Sequence, residues 1–498
     1  MATEMGITSI EYISPIGAIL ISLLACPFII LFGDKRPNLR EAVSVIAGII
    51  KFLFVLSLYP VVLEKGYYYI EILPIASGLS IKLLVDPMGL LFALGASFLW
   101  ILTTFYSIGY MRGTHAKRQT RYYVCFALSL SATMGVAFSG NLLTLFIFYE
   151  LMTIATYPLV AHKEDEESLE GGRKYVIYLL GAAKLFLIPA MAITYYVAGT
   201  LDYLPKGIFN LDQLNSYSSV LKIALIMYLY GYTKCAIMPL HSWLPSAMVA
   251  PTPVSALLHA VAVVKTGAFS IARVLLNIYG KEGVLTLGIQ DVILFLAGFT
   301  IITGSLIALT RDNFKARLAF STVSQLSYIV FGVALMHPLS VLGGILHITA
   351  HAFSKITLFF GAGSVYVSTH YTEISQLDGL AKKLPITFFA FFLATLSMIG
   401  VPGFIGFWSK FYIINGCLQN NFILGALVFL SSSLLNVAYL LPIPIRALKR
   451  VEIKEEFREN YFCAIPLLIT SIFTVLIALF FIDYLKPMLN LIEVLYVK

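Results

Sequence analysis

The sequence has little charge and no cysteine motif. Of its 498 residues, 12% are Asp, Glu, Lys or Arg, and 59% are hydrophobic. So few charges cannot cover the surface of a soluble domain, and the composition is typical of α-helical proteins that cross a membrane many times. The five cysteines are isolated and form no CxxC pair, which argues against a disulfide framework and against an iron–sulfur site. We therefore expect a polytopic membrane protein that holds no cofactor.

The net charge of +8 is explained by membrane topology. Basic residues of membrane proteins collect in cytoplasmic loops, so the excess of Lys and Arg does not require nucleic acid as a partner. About fourteen apolar windows are long enough to span a bilayer. These windows fall at roughly residues 15 to 32, 41 to 63, 85 to 108, 122 to 140, 141 to 161, 174 to 198, 219 to 240, 254 to 276, 286 to 310, 316 to 336, 338 to 367, 385 to 418, 422 to 445 and 461 to 484.

The loops between the windows differ in charge. Odd-numbered loops carry basic clusters, for example at 35–40, 112–121 and 446–458, whereas even-numbered loops carry isolated lysines. Because loops rich in Lys and Arg stay in the cytoplasm, both termini are predicted to be extracytoplasmic, with the protein in the cell (inner/cytoplasmic) membrane. Residues 66–84 are too polar to span and are rich in β-formers, which predicts a short extracytoplasmic hairpin.

Two of the windows combine a lysine with a proline. Lys234 precedes Pro239 in KCAIMPLHSWLP, and Lys410 follows Pro402 in GVPGFIGFWSK. Proline removes a backbone donor, and irregular backbone at membrane depth is tolerated only where protein or a wet cavity covers it. Each window therefore predicts an interrupted helix beside a buried lysine.

The two interrupted helices occupy the same place in successive groups of five windows. An odd number of helices inverts the second group relative to the first, and inverted repeats with paired broken helices are typical of transporters. The predicted fold is an all-α polytopic membrane protein of about fourteen transmembrane helices with two inverted five-helix repeats, each containing a broken helix. The predicted parts are N-terminal helices with the hairpin (1–121), the first repeat (122–276), the second repeat (286–446) and a C-terminal helix (447–498).

Several charges lie well inside the windows. A charged side chain at the bilayer centre costs about 2.5 to 3.5 kcal/mol, so these groups must face protein or water. Lys222 and Arg273 lie near helix ends and are expected to reach the interface, while Lys51 is ambiguous. A purely structural ion pair is the alternative for the acid, but one pair does not explain the other buried lysines. The central set is Glu150, Lys184, Lys234, Lys265, Lys355 and Lys410.

His347, His351 and Lys355 follow one another at steps of four, on one stripe of a helix. A metal site is one alternative for the two histidines, but no thiolate or carboxylate lies on the stripe, so we expect no metal. Histidines with purely structural hydrogen bonds are another alternative. We favour a proton relay, because histidine titrates near neutrality and desolvation lowers the proton affinity of a lysine.

Five segments in the same order resemble a known family. They are FYELMT, KCAIMPLHSWLPSAMVAPTPVSALLHAVAVVKTG, FKARLAFSTVSQLSY, HITAHAFSKITLFFGAGSV and GVPGFIGFWSK. The chain is similar, from about the third window to the thirteenth, to the proton-conducting antiporter-like subunits shared by respiratory complex I, membrane-bound [NiFe] hydrogenases and Mrp-type multisubunit Na+/H+ antiporters. Two features depart from the common pattern: Ser246 follows the WLP motif, and Lys184 matches no family position.

The resemblance implies roles for individual residues. Glu150 and Lys234 correspond to the family's charge pair, and Lys265 to its central lysine. The implied mechanism is a chain of protonatable groups and water parallel to the membrane plane, with two half-channels that open to opposite sides. The other positions that it implies are Lys355, Lys410 and the connecting histidines His259, His347 and His351, with His241 and Lys184 as accessory candidates.

Several functions remain open at this stage. We favour the D-type subunit of an Mrp-type Na+/H+ antiporter, with a proton-pumping subunit of NADH:quinone oxidoreductase or of a membrane-bound hydrogenase as the alternative. A stand-alone secondary transporter and a membrane metalloenzyme are more remote, because no substrate-shaped polar cluster or ligand set is visible. The expected partners are other membrane subunits of one complex, the lipid bilayer and protons, with Na+ as a further candidate. No redox or hydrolytic chemistry is expected in this chain itself.

Overall fold

The protein is described by a computed structural model over residues 8–451 and 453–497, without the side chains of 258, 259 and 482. This part is mainly helical. Its first elements are α1 (Ser9–Phe32), α2 (Pro37–Lys65), β1 (Tyr68–Ala76), β2 (Leu79–Val85), α3 (Pro87–Gly113), α4 (Gln119–Ala137), α5 (Leu142–Val160), α6 (Glu166–Ala182), α7 (Ile188–Ala198), α8 (Leu211–Ser216), α9 (Ser218–Gly231), α10 (Trp243–Ser246), α11 (Thr252–Ala256) and α12 (Val263–Arg273). The others are α13 (Gly280–Thr286), α14 (Gln290–Leu309), α15 (Phe314–Ala334), α16 (Pro338–Thr369), α17 (Pro385–Ile399), α18 (Ile405–Gln419), α19 (Ile423–Leu440), α20 (Pro442–Ala447), α21 (Tyr461–Leu479) and α22 (Lys486–Tyr496).

Within the described residues, nine helical segments are long and apolar enough to cross a membrane. They are α1, α2, α3, α5, α6 with α7, α14, α16, α19 with α20, and α21. The prediction of a helical, multi-pass membrane protein is thereby confirmed. The other predicted windows fall on α4, α9, α11 with α12, α15, and α17 with α18, which are shorter or more polar. The count of fourteen spans stays a prediction.

The polar helices lie inside the bundle. The 32-residue helix α16 has the most polar of the nine candidate spans, and its spanning window is completely buried. It packs against α3, α11, α15, α17, α18 and α21, so apolar helices separate it from the outside. A membrane protein tolerates polar side chains in a helix that faces the bundle interior, and α16 is such a helix.

The hairpin is formed by β1 and β2, which pair antiparallel in the segment where the sequence predicts it. It is tied to the turn between α4 and α5, because the N–H of Gly140 donates to the carbonyl of Lys82 (2.8 Å) and the N–H of Leu84 to that of Phe138 (2.8 Å). Asp86 follows β2 directly and caps α3, since its Oδ1 accepts from the N–H of Gly89 at 2.9 Å. The hairpin therefore fixes the start of α3.

The first break follows α9. A single 3-10 turn (Thr233–Cys235) continues the chain, and Pro239 lies in the irregular stretch before α10. The indole Nε1 of Trp243 donates to the carbonyl of Thr233 at 3.0 Å. This bond gives a partner to a carbonyl at the break, where the regular helical hydrogen bonds stop.

The second break separates α17 from α18 and contains Pro402. Gly400 (φ 96°) and Gly403 (φ 94°) adopt the left-handed conformation that lets the chain turn here. Gly406 lies so close to α17 that a Cβ would stand 1.8 Å from the carbonyl oxygen of Ser397. The start of α18 therefore lies directly against the end of α17, which a larger residue at 406 would prevent.

Arg273 corrects the sequence analysis. It does not reach an interface: its side chain is fully buried and forms two hydrogen bonds to Asp86, from NH1 to Oδ2 at 2.7 Å and from NH2 to Oδ1 at 2.6 Å. The hydroxyl of Tyr496 in α22 donates to the same carboxylate. Sequence position near a helix end was misleading, because the acid that pairs with Arg273 follows a hairpin far away in the chain.

Lys51 and Lys222 differ from each other in burial. Lys51 is fully buried in α2, with its Nζ 4.7 Å from the centroid of the Trp100 ring. Lys222 is exposed in the second turn of α9, as its position near a helix end predicts. Lys51 is therefore an interior group, and Lys222 is not.

Arg273→Met should destabilise the protein by about 3 to 5 kcal/mol, because it leaves the Asp86 carboxylate buried without its cation. Thermal unfolding of the detergent-solubilised protein measures this loss. Arg458→Met, which removes an arginine that is 88% exposed, is the matched control and should change the melting temperature little. Equal melting temperatures for the two variants would contradict a stabilising role of the pair.

Candidate functional site

The first break places Lys234 against α5. Its Nζ donates to the carbonyl of Tyr149 at 2.5 Å and lies 3.2 Å from the centroid of the Tyr149 ring. The next residue, Glu150, is half-buried, and its Oε1 has no hydrogen-bond partner among the described residues. The carboxylate and the Lys234 ammonium interact through space. The two predicted partners are thus neighbours, and the lysine is held by the residue beside the acid.

Lys184 is the second lysine that interacts with Glu150. It sits in a π-helical turn (Ala183–Leu187) between α6 and α7, and its side chain is exposed on the outside of the described bundle. It is still close enough to Glu150 for the two charges to interact. Glu150 therefore lies within the electrostatic reach of two lysines, one inside the bundle and one on its surface.

Lys265 is fully buried in α12, and its ammonium forms a hydrogen bond with Nδ1 of His351 in α16. Helix α12 also touches the first break: a Cβ on Gly267 would stand 2.2 Å from the backbone nitrogen of Cys235. Only glycine permits this close approach. Through it, the helix that carries Lys265 rests on the turn that carries Lys234.

Helix α15 presents a line of polar residues to α16. Ser321, Gln325 and Tyr328 are spaced four and three residues apart, and we call them the α15 stripe. The Nζ of Lys355 donates to the Ser321 hydroxyl at 2.6 Å and to the carbonyl of Leu318 at 3.4 Å. The buried ammonium of Lys355 thus has two oxygen acceptors on α15.

His347 is held between three elements. Its Nε2 is hydrogen-bonded to Oε1 of Gln325 (3.1 Å), and its Nδ1 to the hydroxyl of Ser409 in α18 (2.9 Å). The ring also stacks on Tyr328, with centroids 5.0 Å apart. His347 lies within electrostatic reach of Lys265, Lys355 and Lys410. Its contacts link α15, α16 and α18.

Lys410 forms hydrogen bonds to the backbone at the second break. Its Nζ donates to the carbonyls of Met398 (2.7 Å) and Ile399 (3.0 Å) at the end of α17, and to the hydroxyl of Ser433 (3.3 Å). The last carbonyls of a helix have no partner within the helix and carry partial negative charge, so a cation is stable there. The break therefore supplies the acceptors of Lys410.

A continuous run of hydrogen bonds joins Lys355 to Lys410. Ser321, which accepts from Lys355, is also hydrogen-bonded to the hydroxyl of Tyr439 at 3.2 Å. Tyr439 donates its hydroxyl proton to Oδ1 of Asn436, whose amide donates to the carbonyl of Met398 at 3.2 Å. That carbonyl is the acceptor of Lys410. Every side chain of the run is buried.

Two predicted residues lie apart from this run. His241 is half-buried in the first break, hydrogen-bonded to the carbonyl of Pro239 at 3.2 Å. The side chain of His259 lies outside the described residues. The two histidines considered as metal ligands contact Gln325, Ser409 and Lys265, and no group of three metal-binding side chains occurs in the described part.

The polar side chains that lie between the buried lysines were not predicted from the sequence. They are Ser321, Gln325, Tyr328, Ser409, Ser433, Asn436 and Tyr439. Polar residues recurring at helical spacing in the apolar segments 314–334 and 423–440 were the available signal. Single hydroxyls and amides are common in buried helices. Only their contacts to the lysines distinguish the residues of this site from other buried polar residues.

Comparison with known proteins identifies the family. A model of the family described as NADH:quinone oxidoreductase/Mrp antiporter, TM matches residues 139–436. The N-type subunit of the NADH-quinone oxidoreductase of Desulforudis audaxviator is 32% identical over 377 residues, which are 76% of this chain and 74% of that protein. The D-type subunit of the Na+/H+ antiporter of Alkalihalophilus pseudofirmus is 28% identical over 89% of this chain and 88% of that protein.

Other relatives are longer. The alignment with the chloroplastic NAD(P)H-quinone oxidoreductase subunit 5 of Zygnema circumcarinatum covers 72% of this chain but about half (51%) of that protein, at 30% identity. Solved structures share the fold: a chain of the Mrp complex from Dietzia sp. DQ12-45-1b has a TM-score of 0.85 at 22% identity, with 98% of both chains covered. A chain of complex I from Thermus thermophilus has 0.79 at 21% identity, covering 96% of this chain and 98% of that one.

The resemblance seen in the sequence motifs is thus confirmed by a family match over more than half of the chain and by a relative above 30% identity. The protein belongs to the NADH:quinone oxidoreductase/Mrp antiporter transmembrane family.

Proposed function

We propose that this chain is the proton-translocating subunit of a multisubunit membrane complex. Protons would move between three sites: the pair Glu150 and Lys234, the pair Lys265 and His351, and the single residue Lys355. From Lys355 they would move to Lys410. The observation that carries the proposal is the run of hydrogen bonds from Lys355 to Lys410, in which every side chain is buried. Buried amines are expensive in a membrane, and a structural role for several of them is hard to justify without transport.

The geometry also gives a physical account of coupling. Glu150 interacts electrostatically with Lys234, so a change in its charge alters the stability of the Lys234 ammonium. Lys265 and His351 share a hydrogen bond, and Lys265 and Lys355 interact as like charges. A proton that arrives at one of these groups therefore repels the proton held by the next group. The repelled proton then moves further along the chain.

We assign Lys184 to Glu150 as a competing partner. Lys184 is exposed and Lys234 is fully buried, and both lie within electrostatic reach of Glu150, so the acid can stabilise one ammonium at the expense of the other. Sharing between two cations weakens the hold on Lys234, which favours release of its proton.

The parent complex is proposed to be an Mrp-type Na+/H+ antiporter, with this chain as its D-type subunit. The support is the alignment with the antiporter relative, which covers 89% of this chain and 88% of that protein. A redox-driven proton pump is the second candidate, favoured by the higher identity to the N-type oxidoreductase subunit. Purification of the native complex discriminates between them, because the pump would copurify with iron–sulfur subunits.

We propose fourteen spans in the membrane of the cell, with inverted repeats at 122–276 and 286–446 between the N-terminal part (1–121) and the C-terminal part (447–498). In each repeat the fourth segment is the broken one, and its break lies beside Lys234 or Lys410. Both described ends of the chain lie at the hairpin end of the bundle: the hydroxyl of Tyr68 donates to the carbonyl of Glu11 (3.0 Å), and Tyr496 bonds to Asp86. With basic loops in the cytoplasm, this end is extracytoplasmic.

Lys265→Met should abolish proton-gradient formation by the assembled complex in membrane vesicles, because it removes the buried ammonium that is hydrogen-bonded to His351. Dye quenching measures the gradient, and blue-native electrophoresis checks assembly. Lys222→Met, which removes an exposed lysine near a helix end, should transport at the normal rate. Normal transport by an assembled Lys265→Met complex would remove this residue from the mechanism.

Ser321→Ala should slow transport about tenfold, because it removes the hydroxyl shared by Lys355 and Tyr439, and a hydrogen bond to a charged group contributes about 1.5 to 3 kcal/mol. Ser129→Ala is the matched control. The buried Ser129 hydroxyl donates to the carbonyl of Cys125 in its own helix α4, so its loss should leave the rate nearly unchanged. If both variants transport equally well, the hydrogen bonds between Lys355 and Lys410 do not assist proton transfer.

A further inference from the structure

A cavity of about 520 Å³ opens at one end of the bundle, between the two proposed repeats. Its walls come from the loop and helix ends around Lys163, Glu167 and Lys174 on one side and around Lys315 and Tyr371 on the other. The segments around Lys163, Lys174 and Lys315 adjoin odd-numbered loops, which the charge bias assigns to the cytoplasm. We call this space the inlet cavity.

Lys315 forms the inner wall of the inlet cavity. It is the second residue of α15 and is half-buried. Its Nζ donates to the carbonyl of Ala250 at 2.6 Å and to the buried hydroxyl of Ser255 at 3.3 Å. A lysine that served only to set topology would extend into water, so these two bonds to the first repeat need another explanation.

Lys315 also extends the α15 stripe. Leu318 lies one turn beyond it, about 4.5 Å along the helix axis, and its carbonyl accepts from Lys355. Ser321, the other acceptor of Lys355, lies one further turn along. The polar line on α15 therefore runs from the inlet cavity to the run of hydrogen bonds that ends at Lys410.

We propose that the inlet cavity admits protons from the cytoplasm and that Lys315 passes them to Lys355. The inference rests on the proposed proton-translocating function and names its entrance. A hydronium ion in the cavity gives a proton to the Lys315 amine and becomes water. The Lys315 ammonium then gives a proton inward, through the Ser255 hydroxyl and water, to the Lys355 amine. Lys315 returns to the neutral form, and only N–H and O–H bonds are exchanged.

Three variants of the full complex in oriented vesicles test the role of Lys315. Lys315→Met should slow proton transport at least tenfold, while Lys382→Met, at an exposed lysine of another cytoplasmic loop, should not. Lys315→Arg keeps the charge and the donors but cannot release a proton, so it should be as slow as Lys315→Met. Transport restored by arginine would reduce Lys315 to a structural cation and overturn the proposal.

A second measurement leaves Lys315 in place and tests the inlet cavity directly. Ala316→Cys places a thiol on the cavity wall, whereas the five native cysteines are buried. A membrane-impermeant cationic thiosulfonate added from the cytoplasmic side should block transport by this variant and leave a Lys382→Cys control unaffected. Complete labelling of Ala316→Cys without loss of transport would show that protons enter elsewhere.

The two proposals can fail separately. If Lys265→Met abolishes transport while Lys315→Met and labelled Ala316→Cys transport normally, the entrance is wrong and the translocating function stands. If Lys265→Met and Lys315→Met both transport normally, neither lysine takes part, and both the entrance and the proposed route through Lys265 are wrong.

Discussion

An amine that is buried in a membrane bundle needs oxygen acceptors, and this requirement explains much of the structure. Lys410 takes the free carbonyls at the end of α17, and Lys234 takes a carbonyl of α5. Lys355 takes a hydroxyl and a carbonyl of α15. A regular helix offers few free carbonyls, so the chain creates them by interrupting helices or adds hydroxyls at the right spacing. The broken helices are thus part of how the charges are accommodated.

The arrangement of helices follows from the same requirement. Polar helices such as α15 and α16 are unstable against lipid, so they occupy the interior, and apolar helices such as α3, α14 and α21 pack against them. The close contacts at Gly267 and Gly406 bring the backbone of each broken helix against a neighbour. Buried groups of both proposed repeats then lie within electrostatic reach of each other, which a looser packing would prevent.

Much of the site could be predicted from the sequence, because lysines and a glutamate inside apolar segments stand out from their surroundings. Pro239 and Pro402 likewise mark both interruptions. The intervening hydroxyls and amides could not be predicted, since Ser321 and Asn436 gain their importance only from the residues that meet them in space. Arg273 was misjudged for a related reason: its partner Asp86 is 187 residues away, and no local pattern connects the two.

The bonds between Asp86, Arg273 and Tyr496 have a consequence for biogenesis. Asp86 emerges from the ribosome 187 residues before Arg273 and 410 residues before Tyr496. At a synthesis rate of about 5 to 20 residues per second, the carboxylate waits roughly 10 to 40 s for its arginine. A buried carboxylate without its cation is unstable, so the start of α3 has to stay hydrated during that interval, and the acid gains its full set of partners only when α22 arrives.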